Sequence, residues 1–199
     1  MGTAGMAAAA VRYLRSSGRP VEALPRPELR CVGADERAPV EGTEFRRVLG
    51  HFASGVAVVA AAAAPGEAAP AGFACQSFSS LSLDPPLVAF MVGRTSATWP
   101  RIARAGAFCV SVLAAGQGEL CRGFAVSGGD KFAGVAYDAA PASGAPRLTG
   151  AVAWIDCTIH AVHTGGDHLI VVGRVDALGT GTEDAPLLFH RGRFARLRD

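Results

Sequence analysis

The sequence predicts a mainly β domain of antiparallel strands with a few short peripheral helices. Three observations predict it. Apolar runs such as LVAFMV (87–92) and FCVSVL (108–113) have the length of single strands. Pro65-Gly66-Glu67 and Gly165-Gly166-Asp167 supply turn residues suited to hairpins. Regular strand–helix alternation and any GxGxxG are absent, which disfavours a doubly wound parallel sheet. Antiparallel strands in this number favour closure into a barrel, because closure removes exposed edges.

The elements follow in order. Residues 1–40 carry Pro20, Pro25, Pro27 and Pro39, which interrupt regular structure. They read as a poorly ordered extension, and the folded domain spans 41–199. Thr43 is a candidate N-cap, and Phe45, Val48, Leu49 and Phe52 follow at helical spacing up to Gly55. VAVVAAAA (56–63) reads as a buried strand, turning at Pro65-Gly66-Glu67 and resuming from Ala71 to Phe78. LVAFMV is the next strand, 96–105 a short helix, FCVSVL a strand, and GQGELCRGFA (116–125) a helix. Residues 127–150 are rich in Gly, Pro and Ala and read as a long surface loop. Ala153, Ile155, Cys157, Ile159 and Ala161 then share one strand face. His168–Leu178 is a long strand, and LLFHRGRF closes the chain.

Composition narrows the function classes. Of 199 residues, 50% are hydrophobic and the net charge is only +2, which suits a globular protein and implies no nucleic-acid partner. The five cysteines include no C-x-x-C pair, a poor disulfide framework and a poor zinc site, so a reducing cytoplasm is the expected setting. No apolar run reaches the roughly 20 residues that span a bilayer, so no membrane association is expected. The first residues match neither a secretory signal nor a myristoylation pattern.

Two stretches carry the chemistry. GFACQSFSSLSLDPPL (72–87) offers backbone N–H groups and four hydroxyls, from Ser77, Ser79, Ser80 and Ser82. GGDHLIVVGRV (165–175) places His168 at a strand start after a turn. Together they suggest a site for a phosphorylated, flat-ringed cofactor with one histidine beside it. Arg94, Ser96 and Thr98 precede a helix in a position suited to an anion, although Ser96 also reads as a helix cap. Arg191 and Arg193 suit either nucleotide phosphates or a solvated face. His160, His163 and His168 do not form a metal site, because strand residues three apart point to opposite faces. Cys75 reads as a small buried side chain, and Trp99 and Trp154 as core or interface.

Five ordered pieces, FRRVLGHFASGVAVV, GFACQSFSSLSLDPPLV, FCVSVL, GGDHLIVVGRV and PLLFHRGRF, resemble the flavin reductase-like family with its FMN-binding split β-barrel. The resemblance runs from Glu44 to Leu197 and is nearest the reductase component of two-component flavin-dependent monooxygenases. It implies a homodimer, FMN or FAD, NADH or NADPH as hydride donor, and release of reduced flavin to a separate oxygenase. It implies flavin contacts from Ser54, Gly55, Ala74, Cys75, Gln76, Ser77, Phe78 and Ser80. Phosphate contacts are expected from Arg94, Ser96, Thr98 and Arg191. His168 lies beside the nicotinamide, with Asp167 shaping the turn or orienting it. Where the family often reads T-x-N-S-F, this chain has Ala74, Cys75, Gln76, Ser77 and Phe78, which leaves FMN versus FAD open. Two alternatives stand beside this reading. One is a flavoprotein that retains its flavin and reduces another acceptor such as ferric complexes. The other is a non-catalytic flavin-binding module.

Overall fold

The computed structural model describes residues 40–197. The proposed extension, residues 1–40, lies outside the described residues but for Val40. Helix α1 (Gly42–Leu49) precedes a two-residue strand, β1 (Ser54–Gly55). Then come β2 (Ala57–Ala61), β3 (Ala71–Cys75), β4 (Ser79–Leu83) and β5 (Pro86–Gly93). Helix α2 (Trp99–Ala105), β6 (Ala107–Val112) and α3 (Gly118–Ala125) follow. Last are β7 (Tyr137–Ala139), β8 (Pro146–Leu148), β9 (Ala153–Gly165), β10 (His168–Thr180), β11 (Leu188–His190) and β12 (Arg193–Ala195).

One antiparallel sheet holds seven of these strands, in the order β3-β2-β6-β9-β10-β5-β4. That order forces the sheet to curl. β3 and β4 lie at opposite ends of it, yet only Gln76, Ser77 and Phe78 separate them in the chain. Seven flat strands would put the two ends ~29 Å apart, whereas the connector reaches at most ~14 Å. The sheet must therefore wrap into a barrel, and the connector marks its seam. Among the described residues no backbone ladder joins β3 to β4. Instead the Ser77 hydroxyl accepts the Met91 N–H at 2.9 Å and donates to the Met91 carbonyl at 3.0 Å, tying the seam to β5. This is a split β-barrel, as expected.

The barrel interior is packed. Phe90 meets Phe108 edge-on at 5.2 Å and Trp99 at 6.2 Å, and all three are buried. Each such ring contributes on the order of 1.5–3 kcal/mol by leaving water. Helix α2 plugs the barrel with Trp99, Ile102 and Ala103. Pro100 in its first turn favours its start, and Gly106, left-handed at φ 73°, ends it. A second core lies outside β2, where Val58 and Ala60 pack with Phe124, Phe132 and Leu187. β2 is thus buried on both faces, which is why its sequence is continuously apolar rather than alternating.

Several local expectations are revised. Glu41 occupies the N-cap position of α1, which ends at Leu49, while Gly55 pairs with Leu188 in a strand. Phe45, Val48 and Leu49 lie on α1 and Phe52 in the turn after it, and all four are exposed. β3 stops at Cys75, and Ser79–Leu83 forms a separate strand hairpinned to β5. Residues 127–150 contain the β7–β8 hairpin, pinned by the fully buried Asp156. The Asp156 carboxylate accepts the N–H groups of Ala142 at 2.8 Å and Ser143 at 3.0 Å, and the Ser143 hydroxyl. The common face of β9 holds for Ile155, Cys157 and Ile159. A bulge at His160 then turns Val162, not Ala161, toward the core.

Candidate functional site

The seam is where the open space collects. Three clefts meet there, and Gln76 lines all three. The main cleft, about 550 Å³, lies between the end of β3, the 91–98 segment and the loop after α3, with His168 on its wall. A second, about 600 Å³, opens between α3 and the β11–β12 hairpin. A third, about 450 Å³, lies beside Phe52, Ser54 and Phe78. β3 is an end strand of the sheet, so its outer backbone groups are free of a ladder and available to a ligand.

The main cleft gathers Ala74, Cys75, Gln76, Ser77, Ser96, Thr98 and His168 of the sequence-derived residues. The third cleft gathers Ser54, Gly55 and Phe78, together with Gln76 and Ser77. Four residues stand apart from these clefts, one of them Asp167, which contacts His168 instead. Ser80 is exposed on β4 opposite Val88. The Arg94 side chain lines none of them, although its N–H donates to the Asp167 carbonyl at 3.0 Å. Arg191 sits at the tip of the β11–β12 turn with φ 49°, its N–H donating to the Gly50 carbonyl at 2.8 Å. The next two residues, Gly192 and Arg193, do line the second cleft.

Local chemistry fixes several of these groups. His168 begins β10 directly after the β9–β10 turn of left-handed Gly166 and Asp167. Its Nδ1 lies 2.7 Å from Asp167 Oδ1, which sets the ring's orientation while half the side chain stays exposed. That contact with His168 holds the Asp167 carboxyl below its ordinary range. Ser96 Oγ accepts the Trp99 N–H at 3.2 Å, so its hydroxyl supports the start of α2 while facing the cleft. Cys75 is buried with Sγ 3.4 Å from Ser77 Oγ, and burial pushes its thiol pKa up. A protonated thiol is a poor nucleophile, so Cys75 is a filler here, as its sequence context suggested. Trp99 is core, and Trp154 is half-buried beneath the Arg147 guanidinium at 4.9 Å. Among the described residues no group of three metal-ligating side chains assembles, and His160 and His163 are exposed on β9. No helix among the described residues is long and apolar enough to cross a membrane.

Sequence reasoning missed Met91, Thr95, Ser127 and Lys131, all on the main cleft. Thr95 sits between two nominated residues, but Ser127 and Lys131 fall in the stretch read as a surface loop. The resulting lining suits a flavin nucleotide. Hydroxyls of Thr95, Thr98 and Ser127 match a polyhydroxylated chain, Lys131 matches a phosphate, and among the described residues no carboxylate lines the cleft to repel one.

Known proteins resemble this chain in sequence and in fold. The chain is 45% identical over 162 residues to the reductase subunit HsaB of a flavin-dependent monooxygenase from Rhodococcus jostii, covering 81% of each chain. It is 46% identical over 158 residues to a flavin reductase of Pseudomonas putida, covering 79% of this chain and 91% of the relative. Among solved structures, the NADH:FAD oxidoreductase SgcE6 of Streptomyces globisporus, in complex with NAD and FAD fragments, superposes with a TM-score of 0.74 at 38% identity. That match covers 83% of this chain and 98% of the other. The model of the flavin reductase-like domain matches residues 49–198, and the chain belongs to that family.

Proposed function

We propose that this chain is an NAD(P)H:flavin oxidoreductase that reduces FMN or FAD and supplies reduced flavin to a partner monooxygenase. The observation that supports it best is the seam: one short segment, 74–77, borders three clefts, and His168 stands on the wall of the main one. When bound, flavin supplies the redox chemistry by accepting hydride from the nicotinamide. The protein's part is placement. Free backbone groups at the end of β3 hold the flat ring, and the donors of the 74–78 segment favour the charge that reduction develops. The imidazole of His168, fixed by Asp167, positions the nicotinamide or its carboxamide. Hydride transfer needs no general acid, so none is assigned. In this reading Ser54, Gly55 and Phe78 border the flavin from the third cleft, and Ser96 and Thr98 face its polar chain.

The exposed apolar side chains Phe45, Val48, Phe52, Leu83 and Met91 favour a homodimer that covers this side of the seam. We also assign it a cytoplasmic setting, in keeping with the four free cysteines among the described residues.

NADH and NADPH oxidation, followed at the nicotinamide absorbance with and without FMN or FAD, tests the activity. Acceleration by flavin is expected; no acceleration with either donor removes the reading. His168→Ala is expected to lower hydride transfer by about tenfold while changing flavin affinity much less, as loss of one charged or polar contact predicts. Equal losses in both count against a role on the nicotinamide side.

A further inference from the structure

The second cleft, between α3 and the β11–β12 hairpin, differs in chemistry from the main one. The main cleft offers hydroxyls and His168. Among its described lining residues the second has no hydroxyl, no carboxylate and no histidine. Its neutral polar group is the Gln76 amide, and its charged groups are two arginines, Arg122 and Arg193. The rest is apolar, with Val56 and Cys121 buried and the rings of Phe189 and Phe194 half-buried.

The walls are held in place without a ligand. Phe189 and Phe194 meet edge to face, with ring centroids 5.8 Å apart. The start of α3 packs closely on Phe194: a Cβ at Gly118 would lie 3.3 Å from Phe194 Cδ2. The Arg191 N–H donates to the Gly50 carbonyl at 2.8 Å and ties the hairpin tip to the end of α1. The cleft, about 600 Å³, is therefore preformed and has the size of a small-molecule site.

Both guanidinium groups can take an anion. Arg122 lies over the Phe194 ring, 5.1 Å from its centroid, and a stacked guanidinium keeps its N–H groups in its own plane, clear of the ring. Glu119, which does not line the cleft, engages one Arg122 nitrogen. Arg193 makes no ion pair among the described residues. Two cations beside an aromatic, apolar lining select a flat apolar body with one compact negative charge. A sugar–phosphate chain would find no hydroxyl partner here.

We propose that this cleft is a separate binding site for a small aromatic carboxylate. Its ring packs against Phe189 and Phe194, and its carboxylate pairs with Arg193 and Arg122. The ligand is neither flavin nor nicotinamide, and the site stands whether or not the reductase reading holds.

Equilibrium dialysis of 2-naphthoate against the full chain tests it. Saturable binding of one naphthoate per chain is expected. The uncharged 2-naphthylmethanol, with the same rings, is expected to bind about tenfold more weakly, and Arg193→Gln to weaken naphthoate about tenfold. Arg122→Gln is expected to lose less, because Glu119 already engages that side chain. Both arginines are exposed, so neither change threatens the fold. Saturating FMN or NADH should leave naphthoate bound. Uptake that does not saturate, or an affinity unchanged in both variants, overturns the site. Competitive displacement by FMN or NADH overturns it too, because the cleft then belongs to the cofactors. Protein that oxidises no NADH with any flavin sinks the reductase reading alone, while naphthoate binding still judges this cleft.

Discussion

The closed wall of the barrel and its seam are built in opposite ways. The wall, β2-β6-β9-β10-β5, is a continuous hydrogen-bonded ladder with aromatic rings packed inside it. At the seam a three-residue connector and one serine hydroxyl replace the ladder. The wall joins its strands by main-chain ladders, interrupted only locally where the β9–β10 register shifts. The seam leaves an end strand open and three clefts around it. Stability is concentrated in the first and binding capacity in the second, the division expected when a rigid frame presents a low-stability site.

Substitutions in the two regions separate these roles. The largest loss of stability is expected from Asp156→Ala on the wall. It removes the buried acceptor of two N–H groups and a hydroxyl in the β7–β8 turn and is expected to cost about 3 kcal/mol. Thermal unfolding should fall by about 2–4 °C for each kcal/mol. Gly173→Ala comes next. Its Cβ would lie 2.5 Å from Phe108 Cζ and 3.2 Å from Cys157 Cβ, and overpacking of this kind costs roughly 1–3 kcal/mol. If flavin affinity falls in proportion to stability in these two variants, the division between wall and seam is wrong. Ser77→Ala acts at the seam. It should cost about 1 kcal/mol in unfolding, yet weaken flavin binding more than either wall variant does in folded protein. Asp167→Asn is expected to change least: no measurable shift in unfolding temperature and a few-fold rise in the KM for NADH. The sign of its pH dependence follows from its lowered pKa. Whatever the carboxylate contributes is complete above the ordinary aspartate range and is lost as pH falls through the lowered value. Stability between pH 5 and 8 should therefore be indifferent to Asp167.

The barrel was legible in the sequence because strand length, turn residues and the missing strand–helix alternation all pointed one way. The 72–87 segment and His168 were legible as a site because small residues, hydroxyls and a turn histidine are chemically conspicuous. Other features obeyed longer-range physics. β4 was hidden because SSLSL puts Leu81 and Leu83 on an exposed face, so its alternation marks no core. The bulge at His160 reversed the facing of β9 without a glycine or proline to announce it. The amphipathic pattern of α1 gave a correct helix but not the fate of its apolar face, which no periodicity specifies. Residues 127–150 looked like loop because Gly, Pro and Ala dominate, and that reading hid Lys131. Its solitude among eighteen arginines was the available signal.

The connector at the seam also bears on how the molecule assembles. Because β3 and β4 are adjacent along the chain, bringing the two ends of the sheet together costs little loop entropy. Within the seven-stranded sheet the expensive joint is elsewhere, between β5 and β10, where Gly93 meets His168 across roughly 75 intervening residues. Folding should wait on that long-range meeting, so weakening β5–β10 contacts should slow folding more than it speeds unfolding.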